Sequence, residues 1–303
     1  MSMRTTLILT TVIFVSALSV LAASCTSNAA ETEGLRVVVT TSILGDIVKS
    51  AAGPGVAVEV IMAAGTDPHE FEPSARQVAA IRSADLVIAN GLGLEAGLED
   101  VLAAAAGDGV SLLEIGPAVD PLPLEQSGGD DPHVWLDPIR IVTAVDAVVG
   151  ALGELDSSTE WKEIAAPYRQ ELFDTDDWVR TRLEFIPPDQ RVLVTGHQAF
   201  GYFAARYDFE VVATILPGAT TMIEPSASGF ADVVEIVDSI GARAIFTDLG
   251  ENQALAEQLA DQAERTVLVV PLYTGSLGEP GSGAETYLGL IRWNTEAIAE
   301  AFK

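Results

Sequence analysis

Short apolar, often β-branched runs alternate with helical patterns along most of this chain, and this alternation constrains its fold more than any other feature. Such a rhythm is typical of a mostly parallel sheet covered by helices. It occurs twice, before and after a charged, glycine-free stretch at residues 158–186. The predicted strands are Leu35–Ser42, Val56–Met62, Leu86–Ala89, Val110–Ile115, Arg191–Thr195, Phe209–Leu216, Ala242–Asp248 and Thr266–Leu272.

We therefore predict an α/β protein of two lobes, each with a mostly parallel four-stranded sheet covered by helices. Residues 35–157 form the N-terminal lobe, residues 187–303 form the C-terminal lobe, and one long linker helix at 158–186 joins them. Glu95–Ala106 is among the helices expected between strands. Pro167 either kinks the linker helix or begins its longer second part, because proline is tolerated in a first turn but not in a straight interior.

The first 24 residues are typical of an export signal, since Arg4 precedes an apolar run, Leu7–Ala23, that is short for a membrane span. The run ends in Leu21-Ala22-Ala23-Ser24-Cys25, which resembles the cleavage site of bacterial lipoproteins, where the cysteine becomes the lipid-bearing N-terminus. Cys25 is the sole cysteine, so no intrachain disulfide is possible. An ordinary export signal with an incidental cysteine is the alternative. Residues 25–34 are predicted to be a flexible tether.

The chain is strongly acidic, with 16 basic and 44 acidic residues and a net charge of −28. Nucleic acids and anionic membrane surfaces attract positive charge, so this balance argues against both as partners. Contact with a membrane is expected through the lipid anchor only.

The chain contains only three histidines, and each directly follows a proline or a glycine. His69 and His197 come after predicted strands, and His133 lies beyond the last strand of the first lobe. Loops at the carboxyl ends of parallel strands line the ligand crevice of such folds, so two facing lobes would bring the three together. Three imidazoles suit a divalent transition metal, above all zinc, and leave a tetrahedral position open. Their spacing matches no local zinc motif, and each taken singly would be interpreted as a hydrogen-bonded loop or core residue.

Three segments, GTDPHEFEPS, DPHVWLDP and VTGHQAFGYFAARYDFE, resemble the signature segments of the metal-binding solute receptors of ABC importers, the zinc- and manganese-type binding proteins. The resemblance is collinear over residues 35–303. It implies that the metal lies between two lobes, bound by His69, His133 and His197, and that the partners are an ABC permease and its ATPase. Histidine at the third of these positions is typical of the zinc members, whereas many manganese members carry glutamate there.

The fourth ligand is where the sequence departs from that family. Many members carry an aspartate ligand after the last strand, and Gly275 stands at this position in Tyr273-Thr274-Gly275-Ser276-Leu277. Glycine has no side chain that could bind a metal. The fourth position is therefore expected to hold water, Asp248 or Glu279.

The resulting hypothesis is a monomeric receptor, not an enzyme, that is lipid-anchored outside the cytoplasmic membrane and captures Zn²⁺, with Mn²⁺ less favoured, for import. Trp135 is expected to pack beneath the metal site and Asp137 to cap the following helix. One alternative is a three-histidine zinc hydrolase or lyase, in which Glu70 could be proposed as the base. Another is a surface adhesin that retains the receptor fold.

Overall fold

The computed structural model describes residues 34–124, 128–249 and 253–303. The predicted signal peptide, Cys25 and all but the last residue of the predicted tether lie outside the described residues. Within the described part of the chain, no helix combines the length and the apolar character that a membrane crossing needs.

The two sheets have the same layout, and every strand pairing in them is parallel. The first sheet has the order β2-β1-β3-β4 and the second the order β6-β5-β7-β8. The predicted fold class is therefore confirmed. The strands are β1 Arg36–Val39, β2 Ala57–Val60, β3 Leu86–Ala89, β4 Ser111–Glu114, β5 Val192–Thr195, β6 Glu210–Thr214, β7 Ala244–Asp248 and β8 Leu268–Leu272.

Ten α-helices cover or connect the sheets among the described residues. They are α1 Ser42–Ala52, α2 Ala75–Arg82, α3 Glu99–Gly107, α4 Ile115–Ala118, α5 Pro138–Leu155, α6 Trp161–Leu183, α7 Gly201–Tyr207, α8 Ala227–Ile240, α9 Gln253–Gln262 and α10 Tyr287–Ala301. Short 3₁₀ helices lie at Gly53–Gly55, Ala96–Leu98, Val134–Leu136 and Pro188–Gln190.

One predicted helix begins later than expected. Glu95 lies before the 3₁₀ helix Ala96–Leu98, and α3 starts only at Glu99. The reason is that the buried Glu95 carboxylate accepts hydrogen bonds from the backbone N–H groups of Asn90 and Gly91 at 2.7 and 3.0 Å. These bonds hold the loop after β3 in a non-helical conformation, so the α-helix begins only at Glu99.

The linker helix α6 is a single helix of 23 residues, and Pro167 lies inside it. It packs against α1 and α5 of the first lobe and α10 of the second. Apart from the adjacent pair Thr175 and Asp176, its buried residues recur every three or four positions, as expected for an amphipathic helix. They are Trp161, Ala165, Tyr168, Leu172, Thr175, Asp176, Val179 and Leu183.

The inner faces of both lobes share one cluster of buried apolar side chains. It includes Val37 and Ile88 from the first sheet and Leu193 and Phe246 from the second. Each outer face has a separate, smaller cluster beneath its own helices. The crevice at the carboxyl ends of the strands therefore lies above a common apolar floor.

Candidate metal centre

The three histidines meet in this crevice. His69 lies in the loop after β2, His133 directly precedes the 3₁₀ helix Val134–Leu136, and His197 follows β5. All three are buried, with 7%, 1% and 3% of their surface exposed. One ligand atom from each lies within 4.8 Å of the other two. The fold thus brings together the residues that the sequence singled out.

Two of the imidazoles are oriented by carboxylates. His133 Nδ1 lies 2.8 Å from Asp131 Oδ1, and His197 Nδ1 lies 2.9 Å from Asp248 Oδ2. A carboxylate can only accept a hydrogen bond, so each Nδ1 carries the proton and each Nε2 presents a lone pair. Carboxylate partners of this kind fix the tautomer and ring orientation of metal-binding histidines.

The two Nε2 atoms of His133 and His197 are 3.1 Å apart. At this separation the two nitrogens either share a proton or face a common cation. Nitrogen ligands of a tetrahedral zinc ion, at about 2.0–2.1 Å from the metal, are about 3.3 Å from each other. The observed separation is close to that geometry.

His69 is positioned mainly through its backbone. Its N–H donates to Asp67 Oδ1 at 2.8 Å, and the other oxygen of Asp67 accepts from the Thr221 hydroxyl at 2.5 Å. Thr221 belongs to the second lobe, so this aspartate connects the His69 loop to the opposite wall of the crevice. The His69 ring centroid lies 5.4 Å from that of His133 and 5.7 Å from that of His197.

Burial favours the neutral form of two of the three imidazoles. Burial, together with a smaller effect of the neighbouring His133 and His197, lowers the pKa of His69 to about 2. Burial also lowers the pKa of His133, against the opposing effect of the Asp131 carboxylate. Both imidazoles are therefore neutral near pH 7, which is the form that binds metals.

A cavity of about 170 Å³ adjoins His69 and His197, and its lining includes Asp67, Asp248, Gly275 and Glu279. No carboxylate or thiol among the described residues joins the group of three histidines. Asp248, one predicted fourth ligand, lies behind His197 on its Nδ1 side. A Cβ atom at Gly275 would lie 3.0 Å from Pro68 Cδ, so the loop backbone approaches the His69 loop closely.

Two supporting roles predicted from the sequence are confirmed. The Trp135 ring centroid lies 5.3 Å from that of His133, and its Nε1 donates to the Thr274 carbonyl at 2.7 Å. Asp137 caps α5, since its Oδ1 accepts from the Ile139 N–H at 2.8 Å.

The role of Asp131 was missed by the sequence analysis. A signal was present, because Asp-Pro-His occurs twice, at residues 67–69 and 131–133. In both copies the aspartate accepts from the histidine N–H, at 2.8 and 3.0 Å. Among the described contacts, only the aspartate of the second copy, Asp131, also accepts from the histidine ring, through Nδ1 of His133.

Comparison with known proteins identifies the family. A family model described as Zinc-uptake complex component A periplasmic matches residues 37–301. Manganese-binding lipoprotein MntA of Halalkalibacterium halodurans is 31% identical over 287 residues, covering 93% of this chain and 94% of that protein. Zinc-binding protein TroA of Treponema pallidum is 32% identical over 284 residues, covering 91% of each.

The solved structure of periplasmic zinc-binding protein TroA from Treponema pallidum superposes with a TM-score of 0.83 at 30% identity. The match covers 89% of this chain and 99% of that one. Sequence, fold and site geometry thus agree, and the chain belongs to the zinc-uptake component A family, the metal-binding solute receptors of ABC importers.

Proposed function

We propose that this receptor captures Zn²⁺ in preference to Mn²⁺, with His69, His133 and His197 as its ligands, and delivers it to an ABC permease for import. The observation that carries the proposal is the set of three buried imidazoles whose ligand atoms lie within 4.8 Å of one another. A site made of imidazole nitrogens suits zinc, whereas manganese prefers carboxylate and other oxygen ligands.

The choice of metal depends on this donor set, because the relatives differ. One matched relative is named for manganese and another for zinc. The three ligands proposed here are nitrogens, and no carboxylate of the described residues lies in the group. Zinc is therefore the better fit to the site as it stands.

Water from the adjoining cavity is our proposal for the fourth ligand. Asp248 already accepts a hydrogen bond from His197 Nδ1 through Oδ2, so it serves the ring rather than the metal. Glu279 lines the cavity but lies outside the histidine group. Zinc sites with three protein ligands ordinarily complete their tetrahedron with water.

The proposal extends to cellular placement and partners. Residues 1–24 would be removed as a signal, and Cys25 would carry the lipid that holds the receptor outside the cytoplasmic membrane. Residues 25–34 would tether the lobes to that anchor. The receptor would work as a monomer that docks on the permease, which its ATPase drives. The lipoprotein name of a matched relative supports the anchor.

The candidate base of the hydrolase alternative does not line the cavity where a substrate would bind. Glu70, the candidate base, is exposed and is not among the residues that line the cavity beside the histidines. The matched relatives are named as metal-binding proteins, which favours neither the hydrolase nor the adhesin.

The test is a calorimetric titration of metal-free protein, beginning after Cys25, with Zn²⁺ and then Mn²⁺. We expect one tight zinc site, much weaker manganese binding, and loss of the site in His133→Ala. Glu70→Ala is the matched control, because it removes an exposed carboxylate beside His69, and it should bind zinc normally. Equal affinity for the two metals, or unchanged zinc binding in His133→Ala, would contradict the proposal.

A further inference from the structure

The start of helix α7, in the second lobe, contacts the turn of the first lobe that carries His133. The hydroxyl of Tyr202 donates to the Asp131 carbonyl at 2.6 Å and accepts from the Leu122 N–H at 3.0 Å. Tyr202 is 1% exposed. A buried hydroxyl with both its donor and its acceptor function engaged by the opposite lobe holds that turn in one position.

The residue before Tyr202 contacts the side chain of the same aspartate. A Cβ atom at Gly201 would lie only 2.7 Å from Asp131 Oδ2, so glycine is needed for the helix to approach this carboxylate. The other oxygen, Oδ1, accepts from both the N–H and the Nδ1–H of His133, at 3.0 and 2.8 Å. Gly201 and His133 therefore lie against opposite oxygens of one carboxylate.

The same short segment also carries a histidine of the site. His197 lies four residues before Gly201, and two of the three intervening residues, Ala199 and Phe200, are buried. A displacement of the start of α7 would therefore move His197 and Asp131 together. The Arg140 guanidinium, 4.9 Å from the centroid of the Tyr202 ring, packs on this contact from the first lobe.

We propose that Gly201 and Tyr202 are positioning residues that set the separation of His133 Nε2 and His197 Nε2 across the two lobes. The inference rests on the proposed metal-binding role of these histidines. Gly201 sets how closely α7 approaches the Asp131 carboxylate. Tyr202 fixes the backbone of Asp131 and of Leu122, whose carbonyl accepts from the Asp131 N–H at 2.7 Å. Together they hold the His133 ring at the angle that a metal shared with His197 requires.

The first test is Gly201→Ala, studied with Co²⁺, whose visible absorption reports coordination geometry. The added methyl group pushes Asp131 away and so tilts His133. We expect Co²⁺ and Zn²⁺ affinity to fall by about 10- to 100-fold, the range found for partners of metal ligands. We also expect an altered Co²⁺ spectrum. We expect no comparable loss of stability: the unfolding midpoint of the metal-free variant should stay near that of the wild type, because alanine favours a helix more than glycine does.

The second test is Tyr202→Phe, which removes the hydroxyl and keeps the ring. It should also weaken metal binding by about tenfold and alter the Co²⁺ spectrum. Tyr168→Phe is the matched control, since the buried Tyr168 hydroxyl has no hydrogen-bond partner within the described part of the chain. Affinity and spectrum should be unchanged in that variant.

Wild-type affinity and spectrum in Gly201→Ala would overturn this inference while leaving the proposed function intact. Should Tyr202→Phe not fold, Gly201→Ala decides alone. Absence of Zn²⁺ and Co²⁺ binding in the unmodified protein would instead overturn the proposed function, and this inference with it.

Discussion

At the scale of single residues, the orientation of the imidazoles matters as much as their presence. Asp131 and Asp248 lie behind His133 and His197 and determine which ring nitrogen faces the centre of the site. The sequence indicated the three histidines because they are rare and share a setting. The repeated Asp-Pro-His was a signal for Asp131, but it could not distinguish the role of Asp131 from that of Asp67, and Asp248 is distant in sequence from His197. Asp248 was considered as a ligand, but it contacts the far side of the ring.

Asp248→Asn tests this orienting role. The asparagine amide can donate to His197 Nδ1 and so favour the tautomer whose Nε2 carries the proton and cannot bind metal. We expect zinc affinity to fall by about 10- to 100-fold. Competition with a chromophoric chelator measures this affinity. The control is Asp261→Asn, at an exposed position of α9, which should bind zinc as the wild type does. Equal affinity in both variants would contradict the role.

The protonation of His69 predicts how acid affects the metal-free protein. The folded-state pKa of His69 is about 2, well below its ordinary value of 6.5. Below about pH 6.5 the unfolded chain binds a proton here that the folded protein does not. As the pH is lowered, this group therefore decreases the free energy of unfolding by up to about 1.4 kcal/mol per pH unit.

Urea unfolding of wild type and His69→Gln at pH 7 and pH 5 measures this effect. Wild type should lose about 2 kcal/mol more than the variant between the two pH values. The comparison is needed because burial raises the pKa of Asp46, Glu95 and Asp137, which opposes the loss in both proteins. An equal loss in both would contradict the lowered pKa.

At the scale of elements, hydrophobic periodicity was enough to predict all eight strands, their parallel arrangement and the linker helix. Boundaries were less accurate where a polar side chain binds the backbone. Glu95 delays α3 in this way, and residues 158–160 precede α6 because the Asp156 carboxylate accepts from the Ser158 N–H at 2.9 Å. Such local bonds compete with helix formation, and periodicity does not reveal them.

Pro167 is a weak point of the linker helix. It is exposed inside α6, where it can donate no hydrogen bond to the carbonyl of Glu163. Pro167→Ala restores that bond, and we expect it to raise the free energy of unfolding by about 1–3 kcal/mol with unchanged zinc affinity. Urea denaturation with a parallel zinc titration measures both. A fall in stability would show that the proline is needed for the helix to pack.

At the scale of the whole molecule, apolar packing and hydrogen bonds connect the two lobes around the site. They share one apolar cluster, and α6 packs on both. The Tyr287 hydroxyl donates to the Trp135 carbonyl at 2.7 Å, and the Leu277 N–H donates to the Ser42 hydroxyl at 3.1 Å. Both bonds join the lobes across the crevice, so metal binding should proceed with little lobe motion.

Small-angle X-ray scattering tests this rigidity. A compact body of this size has a radius of gyration of about 18 Å. We expect the metal-free and zinc-loaded forms to agree within about 1 Å, as pre-organised binding proteins do. A clear contraction on zinc binding would indicate that the lobes close around the metal.

The central claim is that three imidazoles from two lobes hold the metal, and X-ray absorption at the zinc edge tests it most directly. For the zinc-loaded protein we predict a four-coordinate site with three imidazole nitrogens at about 2.0–2.1 Å and one further oxygen ligand. His133→Ala, if zinc can still be loaded, should show fewer imidazoles. A wild-type spectrum with fewer than three imidazoles, or with mainly carboxylate ligands, would contradict the claim.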